Sequence, residues 1–132
     1  MPYERIEHTG DAGIVVRAPT LEGLYAEAAR AMFEILADPG GAPPVEAEEF
    51  PVSPDSPADG LRDFLAELLY RFSAERKMYV SFSPGSGKVT AGAAPFDPAR
   101  HRLGTELKAV TYHGLEVDRE ADGWKARVIF DV

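Results

Sequence analysis

Two short stretches at opposite ends of the chain carry the residue types best suited to bind a cation. Near the start, HTGDAG places His8, Thr9 and Asp11 in a polar segment directly before the apolar run GIVVRA. Asp11 is a hard oxygen ligand there, and Gly10 and Gly13 allow a tight turn or the close approach of another group. The same segment also fits an ordinary entry turn in which Asp11 bonds to its own backbone.

The last two residues, Asp131 and Val132, set a side-chain carboxylate beside a terminal carboxylate. The two charges repel, which is unfavourable unless a cation lies between them or both point into water. Hard divalent cations such as Ca²⁺, Mg²⁺ or Mn²⁺ prefer oxygen donors. The sequence has no cysteine and only three widely spaced histidines, so zinc and softer metals are less favoured. A divalent-cation site and a solvated strand end are the two alternatives.

A third polar segment, TELKAVTYHG, lies in the C-terminal half. If it is a strand, Lys108, Val110 and Tyr112 share one face. That face is more polar than a core would allow, which predicts an exposed or site-lining surface. An ordinary half-solvated strand explains the same pattern.

Two further features have simple interpretations. PGSGK does not match a phosphate-binding loop, which has four residues between its glycines and a serine or threonine after its lysine. Here one residue separates Gly85 from Gly87, and Val89 follows Lys88. It is typical of a hairpin turn. Glu67 interrupts the apolar stripe of a predicted helix, and we expect it at the edge of that stripe with its carboxylate in water; a buried cation is the alternative.

Composition limits the class of protein. The chain has 132 residues and a formal net charge of −8, so we expect one domain and no strong direct binding to nucleic acid, which rewards clustered lysine and arginine. The acidic balance suits a cation or a partner with a positive groove, or serves solubility alone. No apolar run approaches the ~18 residues of a membrane span, and the start lacks the apolar core of a signal peptide. We expect a cytoplasmic protein without a membrane segment.

Hydrophobic periodicity predicts an α+β fold. Two amphipathic helices are expected, one capped by Thr20 and one capped by Ser56 with Pro57 in its first turn. Strands are predicted at 13–18, 45–52, MYVSFS, KVTAGAA, a long segment over RLGTELKAVTYHGLEV bent at Gly114, and a last strand after an Asp122-Gly123 turn. We therefore expect a single two-layer domain over residues 1–132, with a mixed β-sheet and both helices packed on one face.

Taken together, HTGDAG, ELLY, ELKAVTYH and the terminal VIFDV resemble the archease family, in order and at similar spacing over nearly the whole chain. The family's first motif usually reads His-Thr-Ala-Asp. Here Gly10 replaces the alanine, and Ala12 stands where a larger aliphatic residue is common. Both changes leave Asp11 in place. The segment GGAPPVEAEEFPVSPDSPADG is idiosyncratic, and nothing of the family is carried over onto it.

The resemblance implies an accessory protein rather than a stand-alone enzyme. It implies an activator of an RtcB-type RNA-splicing ligase, in tRNA splicing and RNA repair, which promotes guanylylation of the ligase and its multiple turnover. It also implies a divalent-metal site at Asp11, Asp131 and Val132. Lys108, in the family's Glu-x-Lys-Ala motif, and His8, in its first motif, are the candidate cofactor-binding residues.

Two other functions stay open. The resemblance also allows a chaperone or specificity modulator of a tRNA methyltransferase, which would need only a binding surface. A small metal-dependent hydrolase could hold a metal-bound water on Asp11, Asp131 and His8. The sequence shows no convincing second metal site or general base for that reaction.

Overall fold

The strands of the chain form two antiparallel sheets around a central helix. The computed structural model describes residues 3–8, 11–41 and 43–132, and of residues 7 and 8 only the backbone. In chain order the elements are β1 (Tyr3–His8), β2 (Asp11–Ala18), α1 (Leu21–Leu36), β3 (Glu46–Pro51), α2 (Pro57–Glu75), β4 (Lys77–Pro84), β5 (Lys88–Pro95), β6 (Ala109–Val110), β7 (Glu116–Glu120) and β8 (Gly123–Asp131). The larger sheet has the strand order β1-β2-β8-β6, with β7 also paired to β8, and the smaller one has the order β3-β5-β4.

The α+β class is confirmed, but the strands do not lie in the one mixed sheet that we expected. All pairings between the described strands are antiparallel, and they fall into two separate sheets. The reason lies in α1, which contacts strands of both sheets as well as α2. Its buried residues are Leu21, Leu24, Tyr25, Ala26, Ala28, Ala29, Ala31, Met32, Phe33, Ile35 and Leu36. A helix with one apolar stripe covers one sheet, whereas this helix also buries small alanines that let a second layer approach.

The two helix starts differ in how they are capped. Thr20 caps α1 as expected, since its Oγ1 accepts a hydrogen bond from the backbone N–H of Gly23 at 3.0 Å. Ser56 occupies the N-cap position of α2, but its side chain makes no capping hydrogen bond. There the Ser56 carbonyl accepts from Gly60 N–H at 2.8 Å, and Pro57 begins the helix as expected.

The interpretations of PGSGK and Glu67 are both confirmed. PGSGK joins β4 to β5, with Gly85 N–H donating to the Lys88 carbonyl at 2.8 Å. Gly87 has a φ of +73°, a conformation that favours glycine. Its N–H donates to the Glu22 carboxylate at 2.8 Å, and this bond lowers the pKa of Glu22. The Glu67 carboxylate is half exposed and pairs with Arg71 Nε at 2.8 Å.

The long strand predicted over residues 102–117 is interrupted. Only β6 and β7 are regular there, and both lie along β8, with Ala109 opposite Asp131 and Glu116 opposite Arg127. Between them the chain turns, and the expected bend at Gly114 is confirmed by its φ of +66°. Lys108 precedes β6 and Tyr112 follows it, so the shared strand face that we predicted for them is wrong.

The hairpin into the last strand is confirmed, with Glu120 opposite Gly123. Its turn falls at Ala121-Asp122, one residue earlier than expected. None of the helices within the described ranges has the length and hydropathy to cross a membrane.

Candidate metal centre

The two aspartates from opposite ends of the chain lie side by side in the larger sheet. Asp11 is the first residue of β2, Asp131 is the last residue of β8, and the two are direct register partners. Side chains directly opposite in an antiparallel pair lie on the same face, with Cβ atoms about 4.5–5.5 Å apart. Asp11 is half-buried and Asp131 is exposed. The fold therefore places two carboxylates together at an accessible end of the sheet.

Buried residues further along the two strands fix this register. Ile14 is opposite Val128, and Ala12 is opposite Phe130. All four side chains belong to the core, with Ile14, Val128 and Phe130 fully buried. A slip of one residue would turn each of these side chains to the other face of the sheet. Burying a side chain of this size contributes about 1.5–3 kcal/mol, so the core holds the two aspartates opposite each other.

Gly13 lets the two strands close tightly beside Asp11. A Cβ atom at this position would lie 2.7 Å from Ile129 Cδ1 and 2.9 Å from the Val128 carbonyl oxygen. Only a residue without a side chain leaves room for Ile129, which lies directly opposite. The close approach expected at Gly13 is thus observed, while Gly10 lies outside the described residues.

Lys108 reaches the same end of the sheet through β6, on the other side of Asp131. Ala109 is opposite Asp131, and the Lys108 N–H donates to the Asp131 carbonyl at 2.8 Å. The Lys108 side chain is exposed. Across the described part of the chain, no ion pair within 4.0 Å joins it to Asp11 or Asp131. The backbone of Lys108 is therefore anchored beside Asp131, while the position of its ammonium group relative to the carboxylates stays a prediction.

The other two predicted site residues, Val132 and His8, are backbone neighbours of the two aspartates. Val132 follows Asp131 directly and is 38% exposed. His8 is opposite Asp11 in the pairing of β1 with β2, while its side chain, like Thr9, lies outside the described residues. Four neighbouring strand positions across β1, β2, β8 and β6 thus meet at one sheet end. The roles assigned to His8, Lys108 and Val132 stay predictions.

The donor set fits a hard cation, though only in part. The two aspartates offer oxygen ligands alone, which suits Ca²⁺, Mg²⁺ or Mn²⁺. Among the residues whose side chains are described, no group of three His, Asp or Glu could hold a metal ion. Ca²⁺ takes about 6–8 oxygen ligands, so a bound ion would need further ligands from water or from a partner.

Arg62 of α2 was not predicted from the sequence, and it contacts the segment that follows Lys108. Its Nε donates to the Val110 carbonyl at 3.0 Å, and its guanidinium carbon lies 4.6 Å from the centroid of the Tyr112 ring. Val110 and Tyr112 follow Arg62 by some fifty residues, and an arginine near a helix start carries no signal of such a contact.

Comparison with known sequences and structures identifies relatives of the whole chain. The model of the archease protein family matches residues 3–132. The protein archease of Methanopyrus kandleri is 36% identical over 140 residues that cover 100% of both chains. That of Methanosarcina acetivorans is 34% identical and covers 98% of this chain and 95% of its own.

Two solved structures have the same fold as this chain. The solution structure of a protein from Methanobacterium thermoautotrophicum superposes with a TM-score of 0.77, at 27% identity, over 99% of each chain. The crystal structure of an archease from Thermotoga maritima, named there as a possible chaperone, superposes with a TM-score of 0.70. It is 25% identical and covers 98% of this chain and 96% of its own.

The pairing of Asp11 with Asp131 leads to a prediction for the stability of the metal-free protein. Like charges directly opposite in a sheet are unfavourable by about 0.2–1 kcal/mol. With a chelator present, Asp131→Asn should therefore raise the free energy of unfolding by that amount, measured by urea denaturation. The matched control is Asp118→Asn, which removes an aspartate opposite Lys125 and should lower stability slightly. A loss of stability in Asp131→Asn would show that its carboxylate already has a favourable partner.

Proposed function

Since this chain belongs to the archease family, we propose that it activates an RtcB-type RNA-splicing ligase, promoting guanylylation and multiple turnover of that enzyme. The observation that carries the proposal is the direct opposition of Asp11 and Asp131 in an accessible sheet end. The Thermotoga maritima relative is named a possible chaperone, which agrees with action on a protein partner. The proposed pathway is tRNA splicing and RNA repair.

The incomplete donor set supports an accessory role. Asp11, Asp131 and the carboxylate of Val132 would hold one side of a divalent ion, and a partner would supply ligands for the other side. A divalent ion bound there would neutralise phosphate charge during nucleotidyl transfer. The exposed ammonium of Lys108 would support the triphosphate of the nucleotide or the acidic cluster itself, and His8 lies at the same strand end.

Charge supports a protein partner over direct RNA binding. A net charge of −8 opposes contact with a phosphate backbone, which binds through lysine and arginine. The same charge favours encounter with a positive groove, because complementary potentials raise association rates. Asp131, Val132 and Lys108 are all exposed, so this end of the sheet can be presented to a ligase.

A chaperone or specificity modulator of a tRNA methyltransferase is the second candidate, and the name of the Thermotoga maritima relative agrees with it. That role would not depend on the two aspartates. A stand-alone hydrolase is less favoured, because within the described side chains no third acidic or histidine ligand joins Asp11 and Asp131.

The ligase assay tests the proposal directly. Substoichiometric amounts of this protein should raise the guanylylation rate of an RtcB-type ligase and its number of turnovers. Asp11→Asn and Asp131→Asn should each lower this stimulation about tenfold or more, as expected for losing a charged contact. Asp118→Asn, an exposed change far along the sheet, should stimulate like the unaltered chain. Normal stimulation by both site variants would contradict the metal-site mechanism, and capture of a methyltransferase without ligase stimulation would favour the second candidate.

A C-terminal extension tests the third ligand. Adding Gly-Ser-Gly after Val132 moves the terminal carboxylate away from Asp131 and keeps every side chain. If that carboxylate binds the ion, the affinity for Mn²⁺ in isothermal titration calorimetry should fall about tenfold, the effect of losing one charged contact. The same extension placed before Met1 is the control. Equal affinity of the two extended chains would remove Val132 from the ligand set.

A further inference from the structure

The strand that brings Lys108 to the site is paired on one side only. β6 has two residues and pairs with β8, and no described strand lies along its other edge. Lys108 N–H donates to the Asp131 carbonyl at 2.8 Å, and Thr111 N–H donates to the Ile129 carbonyl at 3.0 Å. So short a pairing is marginal by itself. The position of Lys108 therefore depends on what covers the outer edge of β6.

Arg62 of α2 contacts that edge. Its Nε donates to the Val110 carbonyl at 3.0 Å, and Val110 is buried. Without this donor the carbonyl of a buried residue would lose a partner, which is unfavourable. The Arg62 side chain is itself only 27% exposed, so it is held between α2 and β6.

The guanidinium makes two further contacts that fix its orientation. Its carbon lies 4.6 Å from the centroid of the Tyr112 ring, and Nη1 lies 3.2 Å from the Asp63 carboxylate. The segment from Lys108 to Tyr112 is thus held by β8 on one side and by Arg62 on the other. Among the side chains that the structure describes, Arg62 connects this segment to α2 by both a hydrogen bond and a ring contact.

We propose that Arg62 is a positioning residue, which fixes the segment 108–112 against β8 and thereby sets the place of Lys108 beside Asp131. It acts through the backbone of Val110 and through the Tyr112 ring, and it does not itself touch the bound ion. The importance of Arg62 for ligase activation rests on the proposed function. Its effect on the order of segment 108–112 does not.

The two contacts require an arginine, and a positive charge alone would not make both. A planar guanidinium can donate from Nε to a carbonyl while its face lies against an aromatic ring. A lysine ammonium is a point charge on a flexible stem and cannot hold both geometries at once. Arg62→Lys therefore separates geometry from charge.

Amide hydrogen exchange measured by NMR tests the positioning role. In Arg62→Lys and Arg62→Gln, exchange at the Lys108 and Thr111 amides should speed up about tenfold or more, because local opening becomes easier. The Val128 amide, in the middle of β8, should be unchanged. Arg119→Lys is the matched control, since Arg119 also lies over an aromatic ring, Trp124 at 5.3 Å, away from β6. Tyr112→Phe keeps the ring and should behave like the unaltered chain.

Two results would overturn the proposal. One is unchanged exchange at Lys108 and Thr111 in both Arg62 variants. The other is an equal increase at Val128, which would mean that Arg62 only stabilises the whole fold.

The ligase assay adds a separate readout. Arg62→Lys should lower the stimulation of guanylylation while the affinity for Mn²⁺ stays unchanged, and full stimulation would contradict a role in activation. If the unaltered chain stimulates no ligase, the proposed function fails, and the exchange measurement still decides the role of Arg62.

Discussion

The antiparallel register between β2 and β8 determines where the polar groups at one end of the larger sheet lie. It is set by buried pairs such as Ile14 with Val128 and by the close approach that Gly13 allows. The same register places Asp11 opposite Asp131, although neither aspartate contributes to the core. Because β6 also pairs with the end of β8, Lys108 is positioned from the same strand. The hydrophobic core thus determines the geometry of a polar site at its edge.

Two aspartates held opposite each other are an unfavourable arrangement that the apolar pairs of the sheet offset. Such an arrangement persists where a cation, or a partner carrying one, relieves the repulsion. The donor set is all oxygen and incomplete within the described side chains. An incomplete, exposed site is what an accessory protein needs if it shares an ion with an enzyme. Arg62 fits this account, because its hydrogen bond to the Val110 carbonyl holds the segment that carries Lys108 against β8.

Local signals in the sequence predicted the parts of the fold that depend on neighbouring residues. The Thr20 cap, the PGSG hairpin and the bend at Gly114 were predictable because each is set within a few positions. The division into two sheets was not predictable, because it depends on how many other elements pack around α1. The partnership of Asp11 with Asp131 followed from chain-end chemistry and family resemblance, but its register depends on distant core pairs. The contact of Arg62 with Val110 spans two layers and leaves no pattern in the sequence.

We propose that Asp11 and Asp131 form one cation site through the β2–β8 register. The most direct measurement is a titration of the ¹⁵N-labelled protein with Mn²⁺, whose unpaired electrons broaden nearby amide signals. Our prediction is that the first signals to broaden are those of residues 11–13, 108–110 and 130–132. Broadening that begins instead at other acidic positions, such as Glu116 and Asp118 on β7, or that spreads evenly over the acidic surface, would contradict it.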